Sequence, residues 1–589
     1  MILIFGGTTE GRMTVDVCEQ AGRPFYYSTR SELQQVELVN GHRLAGAMDV
    51  AEATGFCREH GVRLIVDAAH PFAEELHRNV ISVAGRVGVP VVRFDRIYPP
   101  HTPDIVWCRD YDDAMARLEE GGIDRLLALT GVQTIGRLRP YWQRHECWWR
   151  ILDRNVSKSL ARKNGFPEDR LVYYEHDDTA TLIRQLRPQA ILTKESGLSG
   201  GFSAKVSAAR EAGVGVFVVE RPAYPPVTAE GQGVTIACVN GRHGLRRMVE
   251  RYVPDFFPLR TGLTTGAVAT AAVKAATLRL LGEAADEVEL ALPDGETLTV
   301  GIDHSEVFPG YATATATKDF SDDPDVTRGC RITARVAWAG PQGRGIRFLQ
   351  GEGVGRVTLP GLGIAVGEPA VNPVPRQMMT AEVRALTDAD LDITISVEGG
   401  RELAGRTFNS RVGVVGGISI IGTSGIVAPL SNEAFVRSIG RELEVARAMG
   451  CTAVGLASGK RGETALTERE PSLRVIHYGN FVGDSFGMAY RLGFRRVVLG
   501  IMIGKAVKLA EGHLDTHSHK VLMNKDFLAR VARSVGVSDA ASRLQPVTMA
   551  RELWALMPPA FFEALRDLCM QHCRTVFPTG TLEIHILEQ

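Results

Sequence analysis

Short apolar runs recur along this chain, and most end in a glycine or hydroxyl-bearing turn that leads into helical sequence. This repeat limits the fold more than any other feature. Strand, turn and helix in alternation build parallel sheets, and such sheets hold ligands at the C-terminal ends of their strands. In the first half the runs are Ile2 to Phe5, Pro24 to Tyr27, Arg63 to Val66, Val91 to Phe94, Arg125 to Thr130, Ala190 to Thr193 and Val214 to Glu220. Near the end they are Cys451 to Leu456, Val475 to His477 and Arg495 to Gly500. At 589 residues the chain is too long for one core, so three or four domains are expected.

The balance of charge excludes some partners. Lys plus Arg number 67 and Asp plus Glu 68, which leaves no electrostatic footprint for nucleic acid or an acidic membrane surface. No apolar run reaches membrane-spanning length, and Met1 to Phe5 reads as a first strand, not a signal peptide. Nine scattered cysteines suit a reducing, cytoplasmic compartment. Cys569, His572 and Cys573 lack a second ligand pair and read as the buried face of a helix, so no metal site is expected.

The first strand runs into Gly6-Gly7-Thr8-Thr9-Glu10-Gly11 and then a helix, the arrangement of a dinucleotide-binding unit. Gly6, Gly7 and Gly11 let backbone approach a pyrophosphate, and Thr8 and Thr9 add hydroxyls. After the second strand come Ser28, Thr29 and Arg30, with no acid at the tip. A cation with hydroxyls suits a 2′-phosphate, so NADPH is favoured over NADH. His70 and Lys194 stand at strand ends, where they are candidates to deliver a proton or anchor a carboxylate. His70 before Pro71 is otherwise a turn residue, and Lys194 otherwise pairs with Glu195. A proline-rich joint, Tyr224-Pro225-Pro226 onward, leads to a basic helix from Arg242 to Arg251 and a boundary near Pro254, so the two halves are 1–253 and 254–589.

In the second half, Leu259 to Gly266 precedes an alanine-rich helix and offers an anion-accepting N-terminus. The strand Ala312 to Thr317 delivers Lys318 and Asp319. Ser321 to Thr327 clusters three carboxylates, for which turn capping, metal and proton transfer are all open readings. Arg376 follows two prolines that hold it out, either for a carboxylate or simply into solvent. Asn409 to Pro429 reads NSRVGVVGGISIIGTSGIVAP: a strand, Gly416-Gly417, then Gly422-Thr423-Ser424-Gly425, with Ser431 as the candidate N-cap of a helix. Two close glycine turns suit an anionic ligand or cofactor. The spacing is almost that of a phosphate loop, but Thr423 occupies the lysine position, which argues against an ATPase. Lys505 opens a late helix, and the histidines around His517 suit the wall of a polar pocket. An α+β lobe (254–405) and an α/β lobe (406–589) are expected here.

GGTTEGR, DAAHPFA and TKESG with a downstream lysine resemble the precorrin-6A reductase family across nearly all of the first half. That resemblance implies two Rossmann-like lobes around a cleft and reduction of a tetrapyrrole double bond by a nicotinamide. LRTGLTTGAVATAA, DDPDVT, GEGVGRVTLPGLG, GEPAVNPVPR, NSRVGVVGGISIIGTSGIV and GKAVKLAEG resemble the cobalt-precorrin-5B C1-methyltransferase family from about Leu259 onward. This implies methyl transfer from S-adenosyl-L-methionine to a ring carbon of a substrate that carries its own cobalt. Phe320, Ser321, Arg328 and Asp515 depart from the family pattern. In-line methyl transfer depends on alignment more than on a strong base. The glycines at 416, 417, 422 and 425, with Thr423 and Ser424, are therefore expected to hold the methyl donor. Lys318, Arg376, Lys505 and His517 are expected to bind acetate and propionate arms. The two activities are consecutive, so the expectation is a bifunctional cobalamin-pathway enzyme, with homo-oligomerisation left open. The rival readings are a nucleotide-sensing first half without catalysis and a small-molecule kinase.

Overall fold

The computed structural model describes residues 1–588 except 31–35, 175–177, 225–232, 324, 341–342, 430–431 and 518–522. Ser431, the expected N-cap, lies outside the described residues. Two compact units are present: Met1–Leu259 with Asp294–Leu298, and Arg260–Pro293 with Thr299–Gln589. No helix among the described residues is long and apolar enough to cross a membrane.

The first unit holds two six-stranded sheets, parallel throughout. One contains β1 (Ile2–Phe5), β2 (Phe25–Thr29), β3 (Gly41–Ala45), β4 (Leu64–Asp67) and β5 (Val91–Phe94). The other contains β6 (Val106–Cys108), β7 (Arg125–Ala128), β8 (Glu146–Ile151), β9 (Leu171–Tyr173), β10 (Ala190–Lys194) and β11 (Gly215–Val219). The chain then returns, and β12 (Ile236–Val239) pairs with β5 of the first sheet. The spatial orders are β12-β5-β4-β1-β2-β3 and β6-β11-β10-β7-β8-β9. In each sheet the strand order reverses about a central pair, β1 with β4 and β7 with β10. At such a reversal, connections leave to opposite faces and open a crevice at the strand ends.

Burial on both faces explains the near-continuous apolar strands. Ile2 and Ile4 face one core of the first sheet, and Leu3 and Phe5 the other. Phe256 and Phe257, at the expected joint, are buried in the first of these cores. The second strand runs past its expected end at Tyr27 to Thr29, because β3 pairs alongside it from Phe25 to Thr29. Ser28 is therefore a buried strand residue, not part of the following loop.

In the second unit, a five-stranded sheet comprises His304–Phe308, Tyr311–Thr317, Arg331–Trp338, Leu391–Val397 and Ile346–Gln350, in that spatial order. The alanine-rich helix Thr265–Leu280 packs on it, its small side chains allowing close approach; twelve of its residues are buried. A four-stranded parallel sheet follows, ordered Val475–His477, Ala453–Ala457, Arg496–Met502, Thr581–Leu587. Its order also reverses, between Ala453–Ala457 and Arg496–Met502.

Between these sheets lies a weave of glycine segments. A Cβ at Gly417 would stand 2.3 Å from the carbonyl oxygen of Gly353, and one at Gly355 would stand 2.4 Å from Val414 Cγ1. Only hydrogen fits at such a backbone crossing.

Candidate functional site

In the first unit, the structure collects the expected residues at the two strand-order reversals. Gly6 to Thr9 follow β1 and His70 follows β4; Thr130 follows β7 and Lys194 ends β10. The first glycine turn is built around Tyr27. A Cβ at Gly6 would lie 2.3 Å from its ring, and a Cβ at Gly11 would lie 2.8 Å from its hydroxyl. The Gly7 N–H donates to Tyr27 Oη at 3.0 Å. Thr8 caps the helix Thr9–Glu19: its hydroxyl accepts from Gly11 N at 3.0 Å and donates to Ala68 O at 2.6 Å. Thr9 Oγ1 accepts from Arg12 Nη2 at 3.2 Å. Tyr27 and Thr8 thus take up the amides of Gly7 and Gly11. Arg30 is exposed just beyond β2, with Ser28 buried behind it.

Asp67, at the end of β4, is wholly buried and heavily bonded. Its carboxylate meets His77 Nδ1 at 2.6 Å and Arg93 Nη1 at 3.2 Å, and accepts from Tyr224 Oη at 2.9 Å and Ala69 N at 3.1 Å. Burial alone would raise the Asp67 carboxyl, but the His77 hydrogen bond and the Arg93 charge outweigh it and hold it below the usual range. His77 Nε2 bonds the carbonyl of His70 at 3.1 Å, tying this network to the His70 turn. His70 Nδ1 accepts from Phe72 N at 3.2 Å, leaving Nε2 to carry the proton of the neutral ring.

Burial, then the charges of Arg96, Lys194 and Arg93, push His70 down to about 3. Burial likewise lowers Lys194 to about 8, with its ammonium 5.1 Å from the centre of the Phe72 ring. A cleft of about 410 Å³ opens beside these residues, lined by His77, Arg93, His101, Glu195, Arg221 and Tyr224 among others. Glu195 is not the partner of Lys194: it pairs with Arg221 and, at 3.2 Å, with His101. Arg96 joins Glu10 at 3.0 Å and donates to Ser196 O at 2.7 Å, linking both sheets' loops. Asp67, His77, Arg93, Arg96 and Tyr224 were missed from sequence. Arg93 carried a signal, since a charge inside the apolar run VVRF needs a buried partner.

In the second unit the expected residues separate. Lys318 is wholly buried and meets Asp325 at 2.9 Å. Its ammonium organises the loop after its strand, a correction to its expected role on a substrate arm. Arg376 is not held out by its prolines either. Pro373–Arg384 is a helix, and the guanidinium turns back to Val371 O at 2.8 Å, Pro369 O at 3.1 Å and Glu368 at 3.3 Å. The N-terminus of Thr265–Leu280 is also filled: Gly266 N donates to Ile421 O at 2.8 Å and Ala267 N to Thr264 Oγ1 at 3.1 Å.

The glycine stretch is divided between packing and open backbone. Gly417 is spent on the Gly353 crossing, Gly422 on the Thr264 side chain and Gly425 on Leu292. Gly416, at φ +82°, has nothing within 4 Å of its Cβ position. Ser424 Oγ closes on Ile426, and Thr423 Oγ1 accepts from Arg437 at 3.3 Å. Arg411 anchors the stretch to the parallel sheet, bonding Glu442 at 2.9 Å, Glu463 at 3.1 Å and Val475 O at 2.9 Å. Lys505 stands at the strand-order reversal, bonded to Gly479 O, and burial with the charge of Lys508 lowers it to about 8. His517 is half-buried nearby in sequence, its N–H on Asp515 Oδ1 at 3.1 Å.

Residues 1–238 match the family model described as Precorrin-6x reductase CbiJ/CobK, and residues 254–429 the one described as CbiD. A cobalt-precorrin-5B C(1)-methyltransferase of Prosthecochloris aestuarii is 42% identical over 345 residues, 56% of this chain and 94% of its own length. One from Burkholderia multivorans is 44% identical over 291 residues, 48% of this chain and 80% of its own. Among solved structures, one described as CobK precorrin-6A reductase is 22% identical, covers 43% of this chain and 97% of its own, and superposes with a TM-score of 0.34.

Proposed function

The chain belongs to the cobalt-precorrin-5B C(1)-methyltransferase family and carries a precorrin-6x reductase segment ahead of it, and from that pairing we propose two consecutive steps of cobalamin biosynthesis. The second unit methylates C1 of cobalt-precorrin-5B with S-adenosyl-L-methionine as donor. The first unit, built as two nucleotide-fold lobes, reduces one double bond of the product with a nicotinamide. The observation that carries the reading is 42% identity to a methyltransferase over 94% of that protein's length, directly following a reductase-matched segment.

In the methyl step, the donor's carbon–sulfur bond breaks as the bond to C1 forms. What the protein supplies is alignment and exclusion of water. We assign the donor to the turns at Gly416 and at Gly422 to Gly425, and Lys505 and His517 to carboxylate arms. In the reductive step a hydride passes from the nicotinamide and one proton must follow. Lys194, lowered to about 8 by burial, is a proton donor matched to neutral pH. His70 is held neutral and offers Nε2–H as a hydrogen-bond donor to the ring or its arms. NADPH is the assigned nicotinamide, with Arg30 at its 2′-phosphate.

The test is incubation of the full chain with cobalt-precorrin-5B, S-adenosyl-L-methionine and NADPH, followed by mass spectrometry. One added methylene and then two hydrogens are expected. A pigment that gains neither defeats the reading, and a methyl without hydrogens leaves the first unit as a sensor.

A further inference from the structure

The helix Asn432–Ala448 carries Arg437 and Arg441 four residues apart, on one face. Arg437 donates to Thr423 Oγ1 at 3.3 Å, on the second glycine turn. Arg441 is half-buried against Asn372, at the start of the helix Pro373–Arg384. With the Asn372 amide turned so that its oxygen faces the guanidinium, Oδ1 accepts from Arg441 Nη2 at 3.2 Å and Nη1 at 3.3 Å. The two contact points adjoin, since Asn372 N donates to Ile420 O at 3.0 Å, three residues before Thr423.

The charge here does not balance. Among the described residues no carboxylate forms an ion pair with either arginine. Arg441 is lowered first by burial, Glu444 offsets this only at longer range, and Arg437 repels it. Glu442, next to Arg441, is paired with Arg411 and Glu368 with Arg376, while Glu433 and Glu444 on the same helix are exposed and form no ion pair with either arginine. Desolvating a guanidinium against a neutral amide, beside a second cation, is costly unless an anion completes the site. A guanidinium's planar fork matches a carboxylate with two parallel bonds.

We infer that Arg437, Arg441, Asn372 and Thr423 form a carboxylate-binding site of the second unit. Its ligand is either the amino-acid carboxylate of the methyl donor or an acetate or propionate arm of the substrate. The inference rests on the methyltransferase reading for those two sources, but the site itself does not require turnover.

The first experiment is thermal unfolding of the full chain in sodium propionate against sodium chloride at equal ionic strength. Propionate is expected to raise Tm by about 2–4 °C, and the R437Q/R441Q variant to lose that gain. An equal gain in both proteins, or none in the wild type, overturns the site. Arg441→Met without ligand is expected to hold or raise Tm, because a cation that lacks a carboxylate partner leaves a half-buried position. A clear fall would make Arg441 a structural residue and also overturn it.

Calorimetry then separates the sources. If Arg441→Gln weakens S-adenosylhomocysteine about tenfold or more and leaves 5′-methylthioadenosine, which lacks the carboxylate, unchanged, the donor is the ligand. If S-adenosylhomocysteine is unaffected and KM for the tetrapyrrole rises, a substrate arm is. If neither quantity changes, both assignments are refuted. A wild type that takes propionate yet transfers no methyl group would sink the methyltransferase reading and leave the carboxylate site standing.

Discussion

Lys194 and His70 are displaced in the same direction, with different consequences. With Lys194 near 8, its ammonium is present at neutral pH and lost above it. The rate of hydride transfer should therefore fall above about pH 8. Lys194→Met should remove that alkaline limb and slow the step roughly 10²–10⁴-fold, as stopped-flow absorbance would show. His70 at about 3, against 6.5 when unfolded, gives the sign of a stability effect. Between those values the unfolded chain binds the extra proton, so stability rises with pH across this window and is lost on acidification. His70→Asn should flatten that slope, worth roughly 3 kcal/mol, in urea unfolding at pH 4 against pH 7. The positions of both residues were legible, because each follows an apolar run. Their protonation was not, since it depends on burial by the fold and, for His70, on Arg93, Arg96 and Lys194, which come from other strands and turns.

Among the elements, glycines were easy to find and hard to interpret. Gly416 and Gly417 look alike in sequence, yet one faces open space and the other meets Gly353 O at 2.3 Å from its Cβ position. Gly417→Ala should cost about 3 kcal/mol through overpacking, whereas Gly416→Asn should cost little, because asparagine tolerates a positive φ. Paired melting curves would decide this. Arg187 closes the helix Thr179–Leu186 in the left-handed region at φ 47°, where glycine is favoured. Arg187→Gly should stabilise the first unit by about 0.5–1 kcal/mol, read as a higher denaturant midpoint. The central strands were legible from their apolar runs. β6 and β9, of three residues each, and β8, which carries Arg150 between apolar neighbours, were not. Their strand character comes from the neighbours they pair with. Arg376 misled for a related reason: Pro at the first helical turn starts a helix as readily as it stiffens a loop.

For the whole molecule, two chemistries on one chain should be separable. In Lys194→Met the second unit should still transfer a methyl group to the pigment, and the methylated, unreduced pigment should accumulate, as mass spectrometry would follow over time. If methylation stopped as well, the two units would not be acting as independent catalysts. The order of the two halves was readable because each carries its own glycine turns and its own run of strands. The assignment of Asp294–Leu298 to the first unit was not, since nothing in a turn sequence says which core it will join.

The late return of β12 bears on how the protein is made. Val91 to Phe94 finds its outer partner only at Ile236 to Val239, after every strand of the other sheet has left the ribosome. Until then β5 offers an open row of amides and carbonyls to any passing chain. Slow elongation through the middle of this message should therefore favour aggregation of nascent protein, and a chaperone that shields that margin should raise the soluble yield.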